Sequence, residues 1–416
     1  MKRVLTIGFV LLVVACSSDK SNSGQSNDAN YPNDPKEENT GLHLNADTGT
    51  DPDTGTNPDT HAGTNPDTHT GTNPDTTNDS DTNKNDSDTN RDTDSDTDTD
   101  SDTGPVLDDR CHVGVDQGIV PTPLDVANFG VHDPSMIQVE DTFYMVWTGH
   151  HIPMARSTNL LNWAHAGSIY DGRYPLWSSE WLADIPGQEF NFPWAPDITF
   201  FGGKYHIYSS FSAIFGRNIS CITHLSAEHI TGPWTDHGPL ICTHGNERYN
   251  AIDADVELDA EGTPWLAFGS FWDGIMAFEL DLDGNRVGSE LTRLAWNASI
   301  EAPVLFRRCG YYYLFVSWGV CCQGADSTYN VRVGRSENIM GPYYDKNGTA
   351  MLEGGGTLMV QGDGVNFAAA GHSEVIVAND KVYHFYHAYR QSNGASVLRI
   401  VEMPFDEDGW PIPGGP

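Results

Sequence analysis

Three carboxylates stand out by where they sit. Asp133 opens the stretch DPSMIQVEDTFYMVWTG, Asp253 lies in NAIDADVELDAEGTPWLAFGSF, and Glu301 lies in SIEAPVLFRRCGYYYLFVSWG. Each precedes an apolar run, a polar turn and an aromatic run. Two carboxyl groups set on either side of a sugar ring can break a glycosidic bond. One must be protonated to release the leaving oxygen, and the other ionised to attack or to activate water. Taken singly, each of the three reads as a turn cap or a surface charge. Their recurrence at the head of one repeated phrase, beside Pro134, Ile252 and Pro303, argues for chemistry instead.

The phrase recurs in WAPDITFFGGKYHIYSSFS, which carries Asp197, and in GHSEVIVANDKVYHFYHAY, which carries His372. Period-two alternation on both sides of a short turn, such as Glu140-Asp141, predicts a β-hairpin in each copy. Five copies predict an all-β fold, a five-bladed β-propeller with one copy per blade. The first strand of each blade lines the axis of a propeller, so the heads of the five copies are expected to converge there. Gly232-Pro233-Trp234 and Gly341-Pro342-Tyr343 punctuate equivalent turns, Trp163 closes the first blade, and Asp283-Gly284 marks a hairpin in the third. The last blade should end near Pro404, leaving no room for a further C-terminal module. Open sheet edges are a liability, so the segment before Asp133 is expected to pair with the last blade and close the ring.

Upstream, Met1-Lys2-Arg3, an apolar run from Val4 to Ala15 and then Cys16 resemble a bacterial lipoprotein signal. This predicts residues 1–16 as a signal, a lipid anchor through Cys16, and export to the outer membrane or cell surface, or secretion. Residues 17–104 repeat Gly-Thr-Asn-Pro-Asp-Thr from Gly55, Gly63 and Gly71 and then run into alternating aspartates. Such a composition cannot bury enough apolar surface to order itself and is predicted to be a disordered acidic tether. It lacks the glycine and closing glutamate of a calcium loop. Residues 105–416 form the expected catalytic domain, read as a monomer. The net charge of −36 argues against nucleic acid and other polyanions and for a neutral substrate. Besides Cys16 there are Cys111, Cys221, Cys242, Cys309, Cys321 and Cys322. Export permits disulfides among these six, with the connectivity open. No CxxC pair suggests a thiolate zinc site.

Read in order, HDPS, WAPDI, NAID, GSFWDGI, SIEAP, SWGVCCQGADSTYN and GHSE resemble the endo-arabinanases of glycoside hydrolase family 43, over nearly all of residues 118–410. The resemblance implies endo-acting hydrolysis of α-1,5-linked arabinan, a side chain of pectic polysaccharide. It assigns Asp133 as general base and Glu301 as general acid. Asp253 would raise the pKa of Glu301 and orient it. It also implies inversion, with base and acid roughly 6.5–9.5 Å apart. His372 would hold a hydrated metal ion on the axis, usually calcium, although calcium prefers oxygen ligands. Asn250, Ser270, Phe271 and Gly216 match positions that line the reacting sugar, and Trp194, Phe271 and Trp272 could stack on furanose faces. For Trp194, packing between blades is an equal alternative. The family pattern Ile-Asp-Pro is broken here, since Asp253 is followed by Ala254. Two rival readings stay open: an exo-acting arabinofuranosidase or xylosidase on the same scaffold, and a non-catalytic surface lectin. The lack of a C-terminal sandwich domain favours the endo reading over the first, and the intact carboxylates count against the second.

Overall fold

The computed structural model describes residues 121–416. The signal-type segment 1–16, the tether 17–104 and residues 105–120, with Cys16 and Cys111, lie outside the described residues.

Five antiparallel sheets follow one another along the chain. The first holds β1 (Ser135–Val139), β2 (Thr142–Val146), β3 (Pro153–Ser157) and β4 (Ala164–Ser168). A helix, α1 (Leu176–Ala183), lies in the connection to the second sheet: β5 (Trp194–Phe201), β6 (Lys204–Ser212), β7 (Ile219–Ala227) and β8 (Thr235–His244). The third holds β9 (Asp255–Leu258), β10 (Pro264–Phe268), β11 (Ile275–Glu279) and β12 (Thr292–Ala295). The fourth holds β13 (Ile300–Arg308), β14 (Tyr311–Trp318), β15 (Asn330–Ser336) and β16 (Thr357–Gln361). The fifth has three strands, β17 (Phe367–Ala378), β18 (Lys381–Arg390) and β19 (Ser396–Glu402).

The alternation sets the register. In β2, Phe143 and Met145 point into the core, and Glu140 turns the chain in the left-handed region, so Val139 pairs with Thr142. The apolar faces stack blade on blade. One cluster joins the first and second sheets through Val146, Ile198 and Phe211, and another the second and third through Tyr208, Ile222 and Phe268. The third and fourth meet through Ala277, Ile300 and Leu314, and the fourth and fifth through Phe315, Val331 and Tyr386. The last cluster closes the circle, packing Met136 and Phe143 of the first sheet on Phe385 and Ile400 of the fifth. Removing this apolar area from water is the main favourable contribution. The chain is an all-β five-bladed propeller.

Ring closure uses the segment before Asp133, as expected. Pro123 bridges Val401 and Gly130 bridges Val397, while Leu124 N–H donates to Ile400 O at 2.8 Å and Leu398 N–H to Phe129 O at 3.0 Å. The edge of β19 is thereby covered. Cys221 and Cys242, opposite each other on β7 and β8, form a disulfide, and Cys309 is disulfide-bonded too. Cys321 and Cys322 remain thiols.

Candidate active site

Each blade has one residue in the left-handed region on or just before its first strand: Asp133 (φ 52°) and Asp253 (φ 58°) before it, and Ala195 (φ 42°), Ala302 (φ 51°) and His372 (φ 49°) at register shifts within it. Such a conformation costs a non-glycine residue on the order of 1–3 kcal/mol and needs the surroundings to hold it. Here the holding is cyclic. Ala195 N–H donates to Thr148 Oγ1 (2.8 Å), Asp253 N–H to Ser210 Oγ (2.9 Å) and Ala302 N–H to Asp253 Oδ2 (3.2 Å). His372 N–H donates to Ser317 Oγ (2.8 Å) and Asp133 N–H to His387 Nδ1 (3.1 Å). Every acceptor belongs to the preceding blade, and the fifth hands on to the first.

This frame corrects the expected equivalence of the blade heads. Glu301 stands one residue before the left-handed position of its blade, held by Ala302. Asp197 stands two residues after Ala195, and Asp255 two after Asp253. Residues two apart on a strand share a face, so Asp197 and Asp255 drop into a second layer with Ser135 and Glu374. Ser135 Oγ lies 3.1 Å from Asp197 Oδ1 and 2.9 Å from Glu374 Oε2. Val256 N–H donates to Asp197 (3.2 Å) and Leu305 N–H to Asp255 (2.6 Å). Carboxylate oxygens of Asp197, Asp255 and Glu374 lie within 4.8 Å of one another, beside an axial cavity. Burial pushes Asp197 up to about 7 and Glu374 to about 8, and raises Asp255 as well.

In the first layer, Asp133 is surrounded by donors. Thr148 Oγ1 donates to its Oδ2 at 2.6 Å, His132 Nδ1 lies 2.8 Å from Oδ2, and His372 Nδ1 lies 3.1 Å from Oδ1. Burial opposes ionisation, but His132 and His372 outweigh it and hold Asp133 well below the usual carboxylate range. Glu301 is pushed the other way. Burial carries it up to about 7, against a hydrogen bond from Tyr329, and the charges of Cys322 and Asp133 add to the rise. Asp253 is raised by burial first and then by the charge of Glu301. Burial is thus the leading cause of the rise at Glu301. The visible contact of Asp253 is with the peptide that follows Glu301, through Ala302 N–H, which suits an orienting role. One carboxylate ionised and another protonated is the division of labour that acetal cleavage asks for.

The other expected site residues separate into two groups. Asn250 and Ser270 are buried and bonded to each other: Ser220 Oγ donates to Asn250 Oδ1 (2.6 Å) and Asn250 Nδ2 to Ser270 Oγ (2.9 Å). They tie β7 of the second blade to the loop that follows β10 of the third. Phe271, half-buried, donates its N–H to Ile300 O (2.6 Å) and so backs Glu301. Gly216 (φ 73°) sits in an open turn, with no atom near where a Cβ would point. Beside it Phe215 is 50% exposed, its ring 6.1 Å from that of the half-buried Trp194. Trp272 is 38% exposed. The loops of Phe215 and Trp272 follow β6 and β10, the second strands of their blades, and Trp194 begins β5, so the three lie at the end of the propeller where the first strands begin.

His372 passes a chemical test for a metal ligand. Burial lowers its pKa and keeps the ring neutral. A hydrogen bond from Nδ1 to Asp133 fixes the tautomer that leaves a lone pair on Nε2, the usual arrangement around a ligating imidazole.

Sequence reasoning passed over His132, although it stands in HDPS, and it passed over His387, Tyr389, Thr148 and Tyr329. His132 Nε2 lies 2.6 Å from Tyr389 Oη, and its ring stacks on His387 at 3.9 Å. The clue was the His-Asp dipeptide at the head of the first blade. The partners from β18 are distant in sequence and carry no local signal.

The family model described as "Glycosyl hydrolases family 43" matches residues 125–411. The extracellular endo-alpha-(1->5)-L-arabinanase 1 of Bacillus subtilis (strain 168) is 38% identical over 303 residues, covering 70% of this chain and 91% of that protein. The extracellular exo-alpha-(1->5)-L-arabinofuranosidase ArbA of Cellvibrio japonicus (strain Ueda107) is 36% identical over 304 residues, covering 68% and 85%. Among solved structures, the Cellvibrio cellulosa alpha-L-arabinanase complexed with arabinohexaose aligns with a TM-score of 0.63 at 33% identity, covering 68% of this chain and 95% of that one.

Proposed function

The chain belongs to glycosyl hydrolase family 43, and on that premise we propose that it cuts α-1,5-linked L-arabinan within the polymer, by single displacement with inversion. The observation that carries the reading is the opposite setting of two buried carboxyl groups: Thr148, His132 and His372 surround Asp133 and hold it ionised, whereas burial pushes Glu301 up to about 7. Asp133 takes a proton from the attacking water. Glu301 gives its proton to the departing glycosidic oxygen. Asp253 holds the Ala302 peptide and with it the aim of Glu301. Phe215, Trp194 and Trp272 supply apolar platforms on which sugar faces can rest.

The relatives bear on the substrate by their names, one an endo-arabinanase and one an exo-arabinofuranosidase. The exo mode is therefore the second reading. Product analysis on linear and branched arabinan separates them. A ladder of oligomers is expected; arabinose alone would establish the exo mode, and an untouched polymer that still binds would indicate a lectin. We also assign His372 Nε2 a hydrated cation, calcium by the family resemblance. When bound, it supplies positive charge that favours ionised Asp133. Both named relatives are extracellular, which supports export of this chain, with Cys16 as its proposed anchor.

A further inference from the structure

Cys321 and Cys322 lie side by side in the loop that leaves β14, both half-buried thiols, and hydrolysis gives them no part. Cys322 nonetheless reaches the partners of the proposed base. Cys322 Sγ lies 3.9 Å from His132 Nε2, and the other ring nitrogen of His132 lies 2.8 Å from Asp133. Cys322 N–H donates to Tyr389 Oη at 2.9 Å, and that oxygen is 2.6 Å from His132 Nε2. Cys321 acts on the pKa of Glu301, lowering it, and the two thiols shift each other in opposite directions, Cys321 up and Cys322 down. Cys321, with burial opposing and His132 assisting, brings the Cys322 thiol down to about 5. A thiolate in partial contact with solvent is the form that attacks disulfides.

We propose that Cys321 and Cys322 are a reversible oxidation site, closing to a vicinal disulfide that lowers activity and reopening on reduction. The oxidant is a small disulfide of the glutathione class. Cys322 thiolate attacks one of its sulfurs and expels one glutathione thiolate. Cys321, giving up its proton, then attacks the mixed disulfide at Cys322 and expels the second. Two electrons pass from the protein to glutathione, which leaves as two thiols.

Adjacent Cα atoms across a trans peptide are about 3.8 Å apart. Unstrained disulfides span about 4.4–6.8 Å, so this one would be strained and easily reduced. That property belongs to regulatory rather than structural disulfides. Cys322 already occupies the left-handed region (φ 65°). Closing the ring would turn the peptide whose N–H bonds Tyr389 and disturb the contact of Tyr389 with His132.

The test equilibrates the purified full chain with reduced and oxidised glutathione at set ratios. Alkylation and peptide mass mapping then read the state of Cys321 and Cys322 apart from the other cysteines, and hydrolysis of arabinan is measured in parallel. The expected result is loss of about 2 Da from the peptide carrying both residues. The expected fall in kcat is about tenfold, recovered with dithiothreitol, since small displacements of catalytic groups are costly. Cys321→Ser and Cys322→Ser should each lose the response. A peptide that keeps both thiols in oxidised glutathione overturns the proposal, as does one that stops at a single glutathionyl group. So does a vicinal disulfide without effect on kcat. The activity arm rests on the acid–base reading given above, whereas the mass arm does not, so the two can fail separately.

Discussion

His132 Nδ1 lies 2.8 Å from Asp133 Oδ2, so the residue before the proposed base is also its nearest charged partner. Burial would lower the pKa of His132, but the charge of Asp133 raises it well above its ordinary value, and each group supports ionisation of the other. His132→Asn removes the positive charge and should raise the pKa of Asp133. A base works only when ionised, so activity is lost as pH falls through its pKa. The acidic limb of the kcat/KM profile is therefore expected to move toward neutral pH by about one unit. An unmoved limb would show that His132 does not set the base.

Glu301, the proposed acid, is expected to govern the opposite limb. An acid works only when protonated, so activity should fall as pH rises through about 7. Tyr329 hydrogen-bonds the carboxyl and favours its ionised form. Tyr329→Phe is expected to raise the pKa of Glu301 and carry the alkaline limb to higher pH. Glu301→Ala should lose about 10²- to 10⁴-fold on arabinan and much less on an aryl arabinoside, whose leaving group needs little acid help. Equal losses on both substrates would remove Glu301 from the acid role.

The propeller was legible because its signal is local and repeated: the alternation around Glu140-Asp141 returns four more times with the same punctuation. Asp133, Asp253 and Glu301 stood out in the sequence because each lies at the head of a copy, on or one residue before its left-handed position. The layering was not. Whether Asp197 joins Asp133, Asp253 and Glu301 or the ring below depends on which residue takes the left-handed conformation, and Ala195, unlike Asp133, gives no chemical hint of doing so. His387 and Tyr389 reach Asp133 and His132 from β18, about 250 residues away in sequence, and only ring closure brings them there. Cys321 and Cys322 were counted among possible disulfide formers. Their place beside Glu301 and His132 follows from a loop whose path the alternating pattern does not specify.

The lower ring makes stability depend on pH. Asp197, Asp255 and Glu374 all have folded pKa values above those of an unfolded chain, mainly from burial. Between the unfolded value near 4 and the folded values of about 7 and about 8, the native state binds more protons than the unfolded one. Stability is therefore fullest at acidic pH and declines as pH rises through that window. Glu374→Gln keeps the shape and removes one ionisation. Its melting temperature is expected to exceed that of the wild type by about 3 °C at pH 8. The two should converge near pH 5, as thermal melts across pH would show. A wild type whose melting temperature rises steadily from pH 5 to pH 8 would contradict the idea.

The last prediction concerns His372 and the ion assigned to it. Its backbone N–H is held by Ser317 and its Nδ1 by Asp133, so the ring is fixed from two sides. His372→Ala takes away the proposed ligand and, with it, positive charge near Asp133. The expected result is a strong fall in kcat, on the order of 10²-fold as for a misaligned catalytic group, with little change in KM. The acidic limb should also shift toward neutral pH, because a base that has lost a nearby cation is harder to ionise. Elemental analysis should find one divalent ion per wild-type chain and none in the variant, and prolonged chelation of the wild type should reproduce the variant's profile. A histidine that serves only in packing would behave differently, lowering the melting temperature and leaving the profile in place. Full activity in a wild type shown to carry no ion would end the metal assignment, and an ion retained at full occupancy by His372→Ala would move it to other ligands.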